Sequence, residues 1–151
     1  MTIIQLFVYG TIGDAEIFER LLKRAPVYQP ARLKDYQLFV HPENGYLFVK
    51  PAPDEVVEGK LVSVDEKELA LLDLWEDLPL YQRELLTVKS ENGFQQAFVY
   101  TQNNTDGKPA KDQPPKSRSS IFKDIDEFLD SLNHSIDFID RLLVELSAAH
   151  V

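Results

Sequence analysis

The chain has 151 residues, the length of one ordinary domain, which is enough to bury a core but too little for two well-packed enzymes in tandem. Its 16 Lys and Arg against 25 Asp and Glu give a formal net charge of −9, which repels a phosphate backbone or an anionic membrane surface in the absence of a local basic patch, and no such patch is visible. With no cysteine there is no disulfide, thiol nucleophile or thiolate site, and His41, His134 and His150 are too scattered for a metal cluster. Metal and thiol chemistry are nearly excluded.

The N-terminus lacks a basic region leading into an apolar run with a small-residue cleavage site, and no stretch approaches the roughly 18 apolar residues of a membrane span. A soluble, cytoplasmic protein is the expectation. No internal repeat of roughly 20–50 residues is visible, so solenoids and propellers drop out.

In chain order, Ile3 to Tyr9 is an apolar, β-forming run closed by Gly10, as in a buried central strand. A helix should follow, capped by Asp14, with Glu16 and Glu19 near its positive end. Ile17, Phe18, Leu21, Leu22 and Ala25 lie on one face of it until Pro26 stops it. Strands are expected at about 31–40, 45–50, 56–64, 81–88 and 94–101, the last two joined through Ser90-Glu91-Asn92-Gly93, where Asn-Gly supplies the positive φ of a tight hairpin. Between the 56–64 and 81–88 strands a short helix is expected from Glu66 to Trp75, with Asp65 as its cap and Glu68 at its third position.

Charge divides the chain into three parts. Residues 1–101 carry 10 basic and 16 acidic side chains, 102–119 carry 4 and 2, and 120–151 carry 2 and 7. The 102–119 stretch is polar and Pro-rich and reads as a flexible linker or loop between a domain at 1–101 and a helical extension at 120–151. In that extension Phe122, Ile125, Leu129, Leu132, Ile136, Ile139, Leu143 and Leu146 keep a heptad spacing, which predicts one long amphipathic helix. Two fates compete for its apolar face: packing back on the body, or forming a homodimer through 120–146.

Three groups could carry chemistry. Tyr9-Gly10-Thr11-Ile12 joins the first strand to its helix, where unpaired backbone N–H groups make a cradle for an anion or oxyanion. Neither a dinucleotide fingerprint nor a Gly-Lys-Ser/Thr loop is present, and a glycine at such a turn also has a purely conformational use. Glu76 shares a helix face with Leu69, Leu72 and Asp73, so burial could raise its pKa into the range of a proton carrier, whereas a competing apolar face of Leu71, Leu74 and Trp75 would turn it partly outward. Tyr81 and Arg83, two apart on a strand, share one side of it and could line a pocket beside Glu76, or lie exposed on an edge. Tyr46 and Tyr100 add aromatic hydroxyls of unassigned place.

Phe7-Val8-Tyr9-Gly10-Thr11-Ile12, Val57-Glu58-Gly59-Lys60-Leu61, Leu72-Asp73-x-x-Glu76 and Tyr81-x-Arg83, in that order, resemble the signature of the gamma-glutamyl cyclotransferase-like superfamily, which includes gamma-glutamylamine cyclotransferases and avirulence-induced-gene-like proteins. The resemblance covers roughly residues 3–101. It implies an α+β fold, a small mixed β-barrel-like sheet with flanking helices, to which the long C-terminal helix would be added. It further implies conversion of a γ-glutamyl amide, from an amino acid or an amine, into 5-oxoproline and a free amine, as the substrate's α-amine attacks its own γ-carbonyl. Glu76 then falls on the family's general acid/base, Tyr9, Gly10, Thr11 and Ile12 on its glutamyl cradle, and Tyr81 on a substrate-positioning hydroxyl. Arg83 is expected to be structural. The nucleophile belongs to the substrate, so the resemblance implies no metal and no cofactor, the partner is a small γ-glutamyl molecule, and neither nucleic acid nor membrane is implied. Two positions depart from the pattern: Asp77 stands where glycine is usual, placing a second negative charge beside Glu76, and Ile12 stands where leucine is usual. The alternatives are a non-catalytic module binding a small metabolite or peptide on the same fold, and an assembly protein whose working part is the acidic tail.

Overall fold

In the computed structural model β1 (Ile3–Val8) lies between two neighbours, antiparallel to β3 (Leu47–Asp65) from Ile3↔Asp65 to Val8↔Lys60, and parallel to β5 (Gly93–Thr101) with Leu6 beside Phe98. The structure describes residues 2–76, 82–102 and 106–133. The fold is mixed α+β, with a six-stranded sheet in the order β3-β1-β5-β4-β2-β6, where β2 is Gln29–Val40, β4 is Gln82–Ser90 and β6 is Lys108–Pro109. β2 also pairs with β3, so the hydrogen-bonded circuit returns to the strand where it began.

The two strands expected at 45–50 and 56–64 are one strand of 19 residues. Pro51 and Pro53 lie within it, each without an N–H to give to the ladder. The hairpin of β2 and β3 absorbs them at a register shift between Lys34 and Tyr36. There Asp35 and Asp54 both take positive φ (64° and 67°), and the Asp54 N–H donates to the Asp35 side chain at 3.0 Å. The local irregularity keeps the ladder running on both sides of the prolines. The β4–β5 hairpin closes as the sequence indicates, Ser90 facing Gly93, whose φ is 102°. β6 comes from the stretch read as a linker, and pairs with the end of β2.

α1 (Ala15–Leu22) is capped by Asp14, whose carboxylate accepts from the N–H groups of Glu16 (3.0 Å) and Ile17 (3.4 Å). It ends before Pro26 because Lys23 adopts a left-handed conformation (φ 62°) that closes the last turn onto Glu19, leaving Ala25 exposed and outside the helix. α2 (Glu66–Trp75) carries the expected capping box between Asp65 and Glu68.

The interior is made by alternate residues of five strands: Phe7, Ala31, Leu33, Val49, Val57, Leu61, Val88, Ala97 and Val99. Gly59 belongs to this packing by necessity, since a Cβ there would stand 2.6 Å from both the Phe7 ring and the Val8 carbonyl. The chain divides into two compact units, Met1–Ser117 and Arg118–Val151. In the second, α3 (Arg118–Asn133) buries Ile125 and half-buries Phe122, Leu129 and Leu132. The expected continuation of that helix to 146 lies outside the described residues. Among the described residues no helix is long and apolar enough to cross a membrane.

Candidate functional site

β1 ends at Val8, and the chain turns through Gly10 into a single 3₁₀ turn, Thr11–Gly13. Every carbonyl of this turn is engaged. Gly10 and Thr11 accept from the N–H groups of Gly13 (3.0 Å) and Asp14 (3.1 Å), Ile12 accepts from the Tyr28 hydroxyl, and Gly13 accepts from Lys60 Nζ at 2.8 Å. The same Lys60 ammonium lies 4.7 Å from the centre of the Tyr28 ring. Burial, and then the Asp14 carboxylate, push the Tyr28 hydroxyl up, so it stays protonated and remains a donor. In a planar trans peptide the N–H points opposite to the preceding carbonyl. Fixing the carbonyls of Gly10 and Thr11 therefore fixes the directions of the Thr11 and Ile12 N–H groups, which open the turn and have no partner within it.

α2 brings a carboxyl group to this turn. Of its two competing apolar faces, the one bearing Leu69 and Leu72 is buried while Leu74 is 49% exposed, so the face shared by Asp73 and Glu76 is the one turned to the sheet. Trp75, the last residue of α2, donates from Nε1 to the Thr11 hydroxyl at 3.4 Å and meets the Tyr46 ring edge-on with centroids 6.0 Å apart. Glu76 follows as the C-cap, its N–H bonded to the Leu72 carbonyl at 2.8 Å. Its side chain is half-buried. Burial, with the Asp73 carboxylate adding to it, pushes the Glu76 carboxyl up from 4.5 to about 8.

Asp73 is held from two strands. Tyr100 on β5 donates its hydroxyl to Oδ1 at 2.6 Å, and Arg83 on β4 donates from Nη1 to Oδ2. The Tyr100 carbonyl in turn accepts the Tyr9 hydroxyl at 2.6 Å. Burial and then the hydrogen bond to Asp73 push the Tyr100 hydroxyl far up, so it is a permanent donor. Burial lowers the Arg83 guanidinium, but Asp73 outweighs it and the net shift is upward.

Gly10, Thr11 and Ile12 thus form the opening turn, Tyr9 ties β1 to the end of β5 through its hydroxyl, and Glu76 leaves α2 one residue after the side chain that touches Thr11. Tyr81, also expected at the site, lies outside the described residues, as does Asp77. Tyr28, Lys60 and Trp75 escaped the sequence reading as site-forming residues. Lys60 enters there only as the neighbour of Gly59 in the Val57–Leu61 segment and Trp75 only as part of an apolar helix face, because each acts on a partner far along the chain. Among the described residues no group of three or more His, Asp or Glu could hold a metal ion.

Known proteins share this arrangement of elements. The family profile "Gamma-glutamyl cyclotransferase, AIG2-like" matches residues 6–120. AIG2-like protein D of Arabidopsis thaliana is 34% identical over 100 residues, which are 63% of this chain and 65% of that one, so the chain spans slightly less than two thirds of that relative. Gamma-glutamylaminecyclotransferase A of Danio rerio is 30% identical over 115 residues, 68% of this chain and 71% of its own length. A solution structure of an Arabidopsis thaliana protein superposes with a TM-score of 0.64 at 23% identity, over 87% of this chain and 89% of that one, which shows a common fold. The opening turn and the Leu72-Asp73-x-x-Glu76 helix end both fall inside the matched segment, and the chain belongs to the gamma-glutamyl cyclotransferase, AIG2-like family.

Proposed function

We propose that the protein is a γ-glutamyl cyclotransferase that converts a γ-glutamyl amide into 5-oxoproline and a free amine, with Glu76 as general acid/base and the Gly10–Ile12 turn as oxyanion cradle. The observation that carries this reading is the half-buried Glu76 carboxyl, pushed up to about 8, at the end of a helix whose Trp75 reaches Thr11 of the turn. The strand circuit is read as the small barrel-like body of the family, with the turn at its mouth.

The substrate's α-amine attacks its γ-carbonyl carbon, forming the ring C–N bond, and the amide C–N bond then breaks to release the amine. An ionised Glu76 accepts a proton from the α-ammonium and returns it to the departing nitrogen, a role worth on the order of 10²- to 10⁴-fold. The Thr11 and Ile12 N–H groups stabilise the negative charge that develops on the carbonyl oxygen, roughly 3–4 kcal/mol per donor in comparable sites. Holding the α-amine against the carbonyl supplies on the order of 7–11 kcal/mol more, because the attack is intramolecular. No nucleophile, metal or cofactor from the protein enters this scheme. The names of the relatives favour a γ-glutamyl amino acid or γ-glutamyl amine as substrate.

Incubation with a panel of γ-glutamyl amino acids and γ-glutamyl amines, read as 5-oxoproline released, tests the reading. Release by the wild type that collapses in Glu76→Gln is the expected result. Release unaltered in that variant sinks the role of Glu76, and no release from any member of the panel sinks the activity.

A further inference from the structure

Among the described residues, the buried side-chain polar atoms without a hydrogen-bond partner are three: both amide atoms of Gln102 and Nε of Arg83. Gln102 is 2% exposed. An amide sealed from water without partners is costly, so such groups are found where a ligand or an ordered water completes them. All three atoms belong to one corner of the sheet. Arg83 faces Tyr100 across β4 and β5, and Gln102 lies two residues beyond Tyr100. Phe98 and Tyr100 alternate onto one side of β5, the side from which Tyr100 reaches Asp73 on α2 and Phe98 lies under the Arg83 guanidinium at 5.2 Å.

The start of β3 supplies the other neighbour. The Gln102 N–H bonds to the Val49 carbonyl at 3.3 Å, and Gly10 of the opening turn lies against Leu47, two residues earlier on the same strand, where a Cβ on the glycine would stand 3.6 Å from that of Leu47. A glutamine amide offers one donor group and one acceptor, and so does the need of an α-amino acid: its carboxylate requires a donor and its ammonium an acceptor. Beside the Asp73–Arg83 pair and the Glu84 carboxylate, which accepts from the Thr101 hydroxyl at 2.6 Å, the Gln102 amide presents a neutral donor and a neutral acceptor.

We propose that Gln102 binds the amino-acid end of the γ-glutamyl group, Nε2 donating to the α-carboxylate and Oε1 accepting from the α-ammonium, with Arg83 Nε–H supplying a second donor to the carboxylate. This rests on the γ-glutamyl reading of the site and extends it by naming the residue that recognises the end of the substrate away from the scissile bond. Gln102 thereby sets the position of the attacking nitrogen.

The test is titration calorimetry with L-glutamate, which has the amino-acid end but no amide to cleave, on wild type, Gln102→Leu, Gln102→Met and Gln102→Glu, together with their melting temperatures. The wild type binds, and the apolar variants bind about ten- to hundred-fold more weakly, since the lost hydrogen bonds go to charged groups. Gln102→Glu is weaker still because its carboxylate repels that of the ligand. The apolar variants melt at or above the wild-type temperature, as removal of an unsatisfied amide requires. L-glutamate affinity within two-fold of wild type in both apolar variants overturns the proposal, as does a wild type that does not bind L-glutamate at all. A fall in melting temperature at unchanged affinity also overturns it, by assigning the amide to a structural water. Binding that responds to Gln102 in a protein that releases no 5-oxoproline would uphold this subsite while removing the proposed reaction.

Discussion

Tyr100 and Arg83 face each other across β4 and β5 and donate to the two oxygens of one carboxylate, that of Asp73. The ladder thus holds the last turn of α2 by its acid side chain, one turn before Glu76. Asp73 has two effects at once: it anchors the helix end mechanically, and its charge adds to burial in raising Glu76.

These two effects separate in Asp73→Asn. The amide can still accept from Tyr100, but its NH₂ meets the Arg83 donors, so stability should fall by about 1–3 kcal/mol in urea unfolding. With the charge gone, the acid limb of the pH dependence of kcat/KM should move down from near 8 toward the ordinary carboxylate range. An unmoved limb would mean that burial alone sets the proton affinity of Glu76.

Glu76 itself should leave a mark on stability as well as rate. Its folded value of about 8 stands above the ordinary 4.5. Between those two values the unfolded chain has released a proton that the folded chain retains, so stability falls as pH rises through this window and levels off above it. Glu76→Gln should flatten that part of the melting-temperature profile, while reducing kcat by on the order of 10²- to 10⁴-fold. Parallel profiles for the two proteins would place the carboxyl in water.

Tyr28→Phe removes the donor that pins the Ile12 carbonyl, and Lys60→Met removes the one that pins Gly13. Each should cost about 1 kcal/mol of stability. On the proposed mechanism the turn acts on charge that develops during the reaction, so kcat should fall on the order of ten-fold with KM nearly unchanged. A change confined to KM would show that the turn only binds substrate.

Gly59→Ala places a methyl 2.6 Å from the Phe7 ring and from the Val8 carbonyl. A ring can tilt, but a carbonyl locked in the β1–β3 ladder cannot retreat without breaking pairs. Destabilisation of roughly 1–3 kcal/mol or more is expected in thermal or urea melts. Wild-type stability would show that the two strands can separate there.

What the sequence disclosed follows the range of the interactions concerned. The capping box of Asp65 and Glu68, the Asp14 cap and the Asn92-Gly93 turn were legible because each is closed within a few residues. The 19-residue β3 looks like two strands in the sequence because the two aspartates whose positive φ absorbs Pro51 and Pro53, Asp35 and Asp54, meet only across a hairpin. The face of α2 was ambiguous from spacing alone, and was decided by the buried Leu72 against the exposed Leu74. At the candidate site, the resemblance points to Gly10 and Glu76, whereas Tyr28 and Lys60 act on carbonyls 16 and 47 residues away, which no local pattern marks.

Arg24 grips Glu68 with two nitrogens, Nε at 2.5 Å and Nη2 at 3.0 Å, and Nη2 also donates to the Ser63 carbonyl at 2.8 Å. Burial acts to raise the Glu68 carboxyl, but the Arg24 bonds and the Asp65 N–H outweigh it and hold it below its ordinary value. One acid group is thus common to the first turn of α2 and to the chain just after α1. Like a tie-rod behind a jaw, it couples the helix that ends at Glu76 to the helix that follows the Thr11–Gly13 turn, so a gape at the front must strain a clasp at the back. Salt or a charge reversal at position 68 should therefore be felt as looseness between the end of α2 and the Thr11–Gly13 turn, and so in the proposed grip on the substrate.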